Sequence, residues 1–91
     1  MKICAEFFGA VRLRTETAKK QFEFDEPTIP LSDVLTALTN EYPRLMPDCI
    51  SEGNLQPAFA INLNGERFVR DLSVRLCDGD SILLMSADAG G

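Results

Sequence analysis

The sequence contains few side chains suited to catalysis. It has no histidine, which excludes histidine-based acid–base catalysis and zinc sites of the Cys/His type. Its three cysteines, Cys4, Cys49 and Cys77, lie far apart and form no C-x-x-C pair. The strand-like sequence around Cys4 and Cys77 is typical of small packing residues rather than of reactive thiols. Neither histidine-based catalysis nor a reactive thiol is therefore expected.

Two other groups could do chemistry, a pair of carboxylates and the end of the chain. Asp78 and Asp80 flank Gly79, but no further oxygen ligands follow at the spacing of a calcium loop, so we expect a turn and no metal site. The sequence ends in Gly90 and Gly91. An α-carboxyl group with an ordinary pKa of about 3.3–3.7 is ionised at neutral pH and must be activated before a nucleophile can attack it.

The bulk properties are those of one small globular domain. The chain has 91 residues, of which 45% are hydrophobic and 25% are charged, a balance typical of folded proteins. Its formal net charge of −5 disfavours nucleic acid as a partner, because phosphates would be repelled on average. No apolar run approaches the roughly 20 residues that span a bilayer, and no signal peptide is evident. We therefore expect a cytoplasmic protein that does not bind membranes.

Alternating apolar residues predict most of the secondary structure that must position the chain end. Strands are expected over residues 2–8, 21–24, 59–63, 66–69 and 81–85. In the first of them Ile3, Ala5 and Phe7 share the face that would be buried. Asn64-Gly65 is the favoured two-residue hairpin turn, since both positions need positive φ. The last strand is apolar on both faces, which is typical of a strand inside a sheet.

One amphipathic helix is predicted between the second and third of these strands. Its apolar residues recur at spacings of three and four: Leu31, Val34, Leu35, Leu38 and Tyr42. Pro43 ends the helix, because proline disfavours helical backbone in the residue before it. Residues 11–20 are expected to be a loop or wide hairpin, and residues 44–57 an irregular connection or weak helix. The fold class is therefore α+β, with one mixed sheet of about five strands and one main helix packed across it.

The sequence changes character after Met85. Residues 86–91 read Ser-Ala-Asp-Ala-Gly-Gly, contain nothing to bury and predict a mobile tail. We divide the chain into a domain over residues 1–85 and a flexible C-terminal tail over residues 86–91. The tail could reach about 20 Å when extended, at roughly 3.3 Å per residue.

The order of elements and the Gly90-Gly91 ending resemble the ThiS/MoaD family of ubiquitin-like sulfur carriers, which have the β-grasp fold. Residues 7–12, Phe-Phe-Gly-Ala-Val-Arg, resemble the first strand and turn of the MoaD branch, the small subunits of molybdopterin synthase. Residues 60–62, Ala-Ile-Asn, fit the central strand of the family. Residues 78–80 fit its D-G-D turn before the last strand. The resemblance covers nearly the whole chain.

This resemblance implies a carrier and synthase subunit without catalytic residues of its own. In the family, an E1-like enzyme uses ATP to join the C-terminal carboxylate to AMP. A persulfide, supplied by a cysteine desulfurase or rhodanese, then converts it to a thiocarboxylate. By this analogy Gly91 would carry a transient acyl-AMP and then the thiocarboxylate, with no permanently bound cofactor. Gly90 and Gly91 lack side chains, which would let the tail thread a narrow channel.

The MoaD branch further implies particular partners. These are the E1-like adenylating enzyme, a larger synthase subunit and, as the destination of the sulfur, the biosynthesis of molybdopterin for the molybdenum or tungsten cofactor. The resemblance assigns Phe8, Phe68 and Met85 to an apolar patch that meets these partners. Partly shielded sheet residues are the other interpretation, and both stay open. Basic groups such as Arg12 with Arg14 are either a solvated surface or a site for an acidic partner.

Two other functions use the same residues. In a ubiquitin-like modifier the adenylated Gly91 would be passed to a lysine of another protein. In a plain β-grasp interaction domain the glycines would be incidental, and shortening the tail would leave function intact. Residues 86–89 also replace the Pro-Pro start that is usual in MoaD-like tails, which leaves the choice of synthase partner open.

Overall fold

The computed structural model describes residues 1–90 of the chain. Its strands are β1 (Lys2–Phe7), β2 (Lys19–Glu23), β3 (Thr28–Pro30), β4 (Ile50–Ser51), β5 (Asn54–Leu55), β6 (Phe59–Leu63), β7 (Arg67–Val69), β8 (Arg75–Cys77) and β9 (Ser81–Ser86). The α-helices are α1 (Ala10–Thr15) and α2 (Leu31–Glu41), and 3-10 turns cover Pro43–Leu45 and Ala87–Gly90. Among these residues no helix is long and apolar enough to cross a membrane.

The main sheet has five strands in the order β2-β1-β9-β6-β7. Strands β1 and β9 run parallel and the other neighbouring pairs run antiparallel, so the sheet is mixed, as the sequence predicts. Strand β9 lies in the middle, which confirms the prediction from its two apolar faces. The pairs β3–β8 and β4–β5 form two small additional sheets.

One face of the main sheet is buried and the other is open. The predicted inward residues Ile3, Ala5 and Phe7 are at most 1% exposed, and they share one core with Ile61 and Leu84. Because side chains alternate along a strand, the intervening residues of β1, β6 and β9 point to the opposite side. We call this side of the main sheet the open face.

Helix α2 covers the buried face, as its sequence period predicts. Leu31, Val34, Leu35 and Leu38 are fully buried in the same core as the sheet residues. The helix ends at Glu41, and the N–H of Tyr42 still donates to the carbonyl of Leu38 at 2.8 Å. Pro43 then begins a 3-10 turn, so the predicted end of the helix is confirmed.

Of the two predictions for residues 11–20, the wide hairpin is confirmed, because β1 and β2 pair antiparallel, whereas the connection between them is not a plain loop. Helix α1 occupies the first part and ends at Thr15. The next residue, Glu16, caps the helix with a left-handed φ of 60°, and its N–H donates to the Arg12 carbonyl. Val11 and Thr15, four residues apart, are its buried residues. Burial of this single pair stabilises a helix that is too short to show a period in the sequence.

The turns that precede the last strand have the predicted positive φ values. Asn64 and Gly65 have φ values of 56° and 70°, and the Glu66 N–H donates to the Leu63 carbonyl at 3.0 Å. Leu63 pairs with Arg67, however, so three residues connect β6 and β7 rather than the predicted two. Gly79, between Asp78 and Asp80, has a φ of 89°, a conformation that glycine adopts without strain. These turns fix where β9 starts and therefore where the chain end leaves the sheet.

Candidate functional site: the chain end and the open face

The chain end leaves the sheet from its central strand. Ser86 pairs with Phe59, one residue beyond the boundary predicted between domain and tail, and the N–H of Ala87 donates to the Ala58 carbonyl at 2.8 Å. The 3-10 turn of Ala87–Gly90 follows directly. Gly90 is thus one turn away from the sheet, whereas Gly91, the predicted site of adenylation, lies outside the described residues.

The three residues of the predicted patch all lie on the open face but differ in exposure. Phe8 is 49% exposed and Phe68 is 54% exposed. The N–H of Phe8 donates to the Leu84 carbonyl at 3.1 Å, which places Phe8 beside Met85 in the next strand. Met85 itself is only 7% exposed, so a partner would contact the two phenylalanines far more than the methionine.

Two arginines contact the ends of strands on the side of the sheet where the chain end leaves β9. Arg12 donates its Nε to the Phe7 carbonyl at 3.1 Å, at the end of β1. Arg70 donates to the carbonyls of Pro57 and Phe59, at the start of β6. Within residues 1–90 neither guanidinium takes part in an ion pair, whereas Arg14 pairs with Asp48 at 3.0 Å. Arg12 and Arg14 therefore differ in the structure, since only Arg14 is in an ion pair, and a site for an acidic partner at this basic group stays a prediction.

The Asp78-Gly79-Asp80 segment is a hydrogen-bonded turn. Asp78 accepts a hydrogen bond from the Lys2 backbone N–H at 2.7 Å. Asp80 accepts hydrogen bonds from the Cys77 N–H and from the Asn64 side-chain amide. Burial raises the pKa of Asp80, but these hydrogen bonds outweigh it and hold the pKa below its usual value. Across the described part of the chain, no three His, Cys, Asp or Glu side chains are grouped to hold a metal ion.

Two of the cysteines are in environments that keep the thiol protonated. Cys49 is fully buried, and this burial raises its pKa to about 12. The negative charge of Asp80 raises the pKa of Cys77. Since the thiolate is the nucleophile, neither cysteine is activated at neutral pH.

These thiol environments predict selective labelling. In the folded protein at neutral pH, iodoacetamide should leave Cys49 unmodified, because the thiol is both inaccessible and protonated. In denaturant all three cysteines should be alkylated. Peptide mapping by mass spectrometry locates the label, and alkylation of Cys49 at the same rate in both states would contradict the structure.

Searches against known proteins find relatives by structure only. No protein-family model matches the sequence, and no curated protein matches it. Among solved structures, the HVO 2177 protein of Haloferax volcanii is 26% identical over 100% of this chain and 87% of that chain, with a TM-score of 0.78. SAMP1 (small archaeal modifier protein 1) from Haloferax volcanii is 18% identical over 100% of both chains, with a TM-score of 0.84.

A third similar structure is a complex. It contains subunits 1 and 2 of molybdopterin-converting factor from Helicobacter pylori, and the match is 24% identical over 100% of both chains, with a TM-score of 0.63. These likenesses establish the ubiquitin-like β-grasp fold that the sequence predicts. Subunits of molybdopterin-converting factor are among the proteins that share this fold.

Proposed function

We propose that this protein is a ubiquitin-like carrier that works through the carboxylate of Gly91, and more specifically a sulfur carrier. The observation that carries the proposal is the position of Gly90, the residue before Gly91 in the sequence. It closes the single turn that follows the central strand, beside an open face with two exposed phenylalanines. A partner that binds this face would have the chain end within reach of its own active site.

The chemistry requires activation of the carboxylate. A Gly91 carboxylate oxygen attacks the α-phosphorus of ATP on an E1-like enzyme, forming acyl-AMP and releasing pyrophosphate. The terminal sulfur of a persulfide then displaces AMP and forms an acyl disulfide. A second thiol cleaves that disulfide, which releases the Gly91 thiocarboxylate and leaves a disulfide between the two thiols. A cysteine desulfurase or rhodanese would supply the persulfide.

The chain would serve as substrate rather than as catalyst in these steps. It has no histidine, and the thiols of Cys49 and Cys77 are held in the protonated state. The resemblance to the MoaD branch favours a larger synthase subunit as the acceptor and the biosynthesis of molybdopterin as the destination of the sulfur. The likeness to one subunit of a two-subunit molybdopterin-converting factor supports the same assignment.

A ubiquitin-like modifier is the second candidate function. The likeness to SAMP1 favours it, because that protein is named as a modifier. In this case the lysine amine of a target displaces AMP from the Gly91 acyl-AMP and forms an isopeptide bond. The two candidates differ only in what the activated carboxylate meets next.

Intact-mass measurement separates the two candidates. The protein is incubated with ATP, a sulfur source and the E1-like enzyme of its host, and a parallel sample lacks ATP. A sulfur carrier gains the mass of one sulfur in place of one oxygen, only with ATP. A modifier instead appears joined to lysines in tryptic digests. If neither change is observed, the plain interaction domain is the remaining interpretation.

The open face predicts a separable effect on partner binding. Phe8→Ser should weaken binding to the E1-like enzyme by roughly tenfold or more, as loss of an exposed aromatic anchor does. The free energy of unfolding should fall by only about 1 kcal/mol, because half of the side chain is already exposed. Isothermal titration calorimetry and denaturant unfolding measure the two quantities.

Leu13→Ser is the matched control for this variant. Leu13 is 75% exposed and belongs to α1 rather than to the sheet. It removes a comparable apolar side chain while leaving the open face intact, so binding should equal that of the wild type. Equal loss in both variants would mean that the open face is not the docking surface.

A further inference from the structure

The open face carries a polar side chain whose oxygen has no partner. Asn62 lies in the middle of β6, and its Oδ1 is buried without a hydrogen bond from the described residues. Asn64, two residues later on the same side, is fully used: its amide donates to Asp80, and its oxygen accepts from the Ser81 N–H at 2.8 Å. Leaving a buried acceptor without a donor is unfavourable, so a partner that supplies a donor to Asn62 Oδ1 would be favoured.

Asn62 forms one side of a hollow whose other side is acidic. The cavity has a volume of about 370 Å³, and its lining includes Glu6, Asn62, Leu83 and Ser81. In the sheet register Leu83 pairs with both Glu6 and Asn62. Glu6 and Asn62 therefore stand two strand spacings apart, roughly 9.6 Å between Cα atoms, with Leu83 as an apolar floor between them.

Glu6 is also without an ionic partner in the described part of the chain. It is exposed, and Lys19 lies opposite it across β1 and β2, yet no ion pair joins the two side chains. Glu6 and Asn62 both line the hollow, but Asn62 Oδ1 is covered by protein atoms, so the Asn62 side chain must rotate before this acceptor faces the hollow. The hollow thus combines a negative charge, an apolar floor and an amide whose oxygen has no partner among the described residues.

We propose that Glu6 and Asn62 form a two-sided acceptor for one arginine or lysine side chain of the E1-like enzyme, a proposal that rests on the proposed function. The alkyl stem of such a side chain packs on Leu83, and its cationic head donates to the Glu6 carboxylate and, after rotation of the Asn62 side chain, to Asn62 Oδ1. Phe68 pairs with Asn62 across β6 and β7, and Phe8 follows Glu6 by two residues on the same side of the sheet, so both phenylalanines supply apolar contacts next to the hollow. Charge complementarity at this point selects a partner with a basic residue facing β9.

Binding measurements on three variants test the acceptor. The affinity of the host's E1-like enzyme is measured by isothermal titration calorimetry at low and high salt. Glu6→Gln should weaken binding about fivefold and make it less dependent on salt. Asn62→Leu, which removes the acceptor at nearly equal volume, should weaken binding about tenfold. Glu26→Gln, which removes the same charge from an exposed site between β2 and β3, should bind as the wild type does.

Each outcome has one meaning. Weaker binding in Glu6→Gln with a shallower salt dependence supports the acceptor, and this exposed position leaves the fold intact. Wild-type affinity in both Glu6→Gln and Asn62→Leu overturns it. If the wild type gains sulfur in the mass assay but these variants bind normally, only this inference is wrong. If the wild type neither binds the enzyme nor gains sulfur, the proposed function fails and the acceptor with it.

Discussion

Deletion of Gly91 is expected to abolish thiocarboxylate formation while leaving the fold unchanged. The shortened chain still ends in a glycine carboxylate, but that group lies about 3.3 Å short of its place in the E1-like active site. Because a misplacement of about 1 Å can cost roughly 100-fold in rate, the remaining reaction should fall below detection. Intact mass after incubation with ATP and a sulfur source measures the product, and circular dichroism checks the fold.

Substitution of Gly90 extends this prediction to the passage of the tail. Gly90→Val keeps the length of the chain but adds a β-branched side chain, which restricts the backbone and widens the tail. We expect a loss of at least tenfold in the rate of thiocarboxylate formation, with Gly90→Ala intermediate. These losses concern the steps on the E1-like enzyme, so affinity through the open face should stay near the wild-type value.

A control in the same segment separates the glycines from the tail as a whole. Asp88→Ala keeps both glycines and the chain length, and Asp88 is exposed in the 3-10 turn. This variant should be converted as the wild type is. Sulfur gain in the Gly91 deletion, or an equal loss in Asp88→Ala, would show that the chemistry does not take place at the final carboxylate.

The sequence predicts those elements in which buried apolar residues recur at a regular spacing. The helix over Leu31–Glu41 and the strand over Phe59–Leu63 follow from apolar residues at regular spacing, and the structure has both. The hairpin at Asn64-Gly65 follows from backbone conformations that these residues tolerate. Each of these signals is local, so it can be seen without knowing the neighbouring elements.

The elements that escape prediction depend on contacts between distant segments. Strands β4 and β5 have two residues each, which is too short for an alternating pattern. Helix α1 is held by burial of Val11 and Thr15 rather than by its propensity. The exposure of Met85 also depends on distant segments. The alternation of side chains along β9 places Met85 on the open face with Phe8, but its position in the central strand leaves it only 7% exposed.

The same limit applies to the candidate site. The glycine pair is visible in the sequence because it needs no partner to be recognised. The acceptor formed by Glu6 and Asn62 is not visible in the sequence, because these residues are far apart in the chain and are brought together only by pairing with Leu83. An unsatisfied oxygen is a property of the packed sheet, so only the structure reveals it.

The strand that delivers the tail also carries the largest expected effect on stability. Leu84 is fully buried in the middle of β9, between Phe7 of β1 and Ile61 of β6. Leu84→Ala should lower the free energy of unfolding by about 2–5 kcal/mol, because it removes buried contacts and leaves a cavity. Chemical denaturation followed by circular dichroism measures the loss. If the alanine variant does not fold, Leu84→Val can be measured instead, and its loss should be smaller.

Leu83, the residue before Leu84, is the control for this prediction. Leu83 belongs to the same strand but to the open face, where it is only partly buried. Leu83→Ala should therefore cost less than about half as much stability as Leu84→Ala, since less surface is removed from packed surroundings. It should instead weaken binding of the E1-like enzyme, because Leu83 is the floor of the proposed acceptor. Equal destabilisation by the two variants would mean that both faces of β9 are buried, and a partner could not bind there without rearranging the sheet.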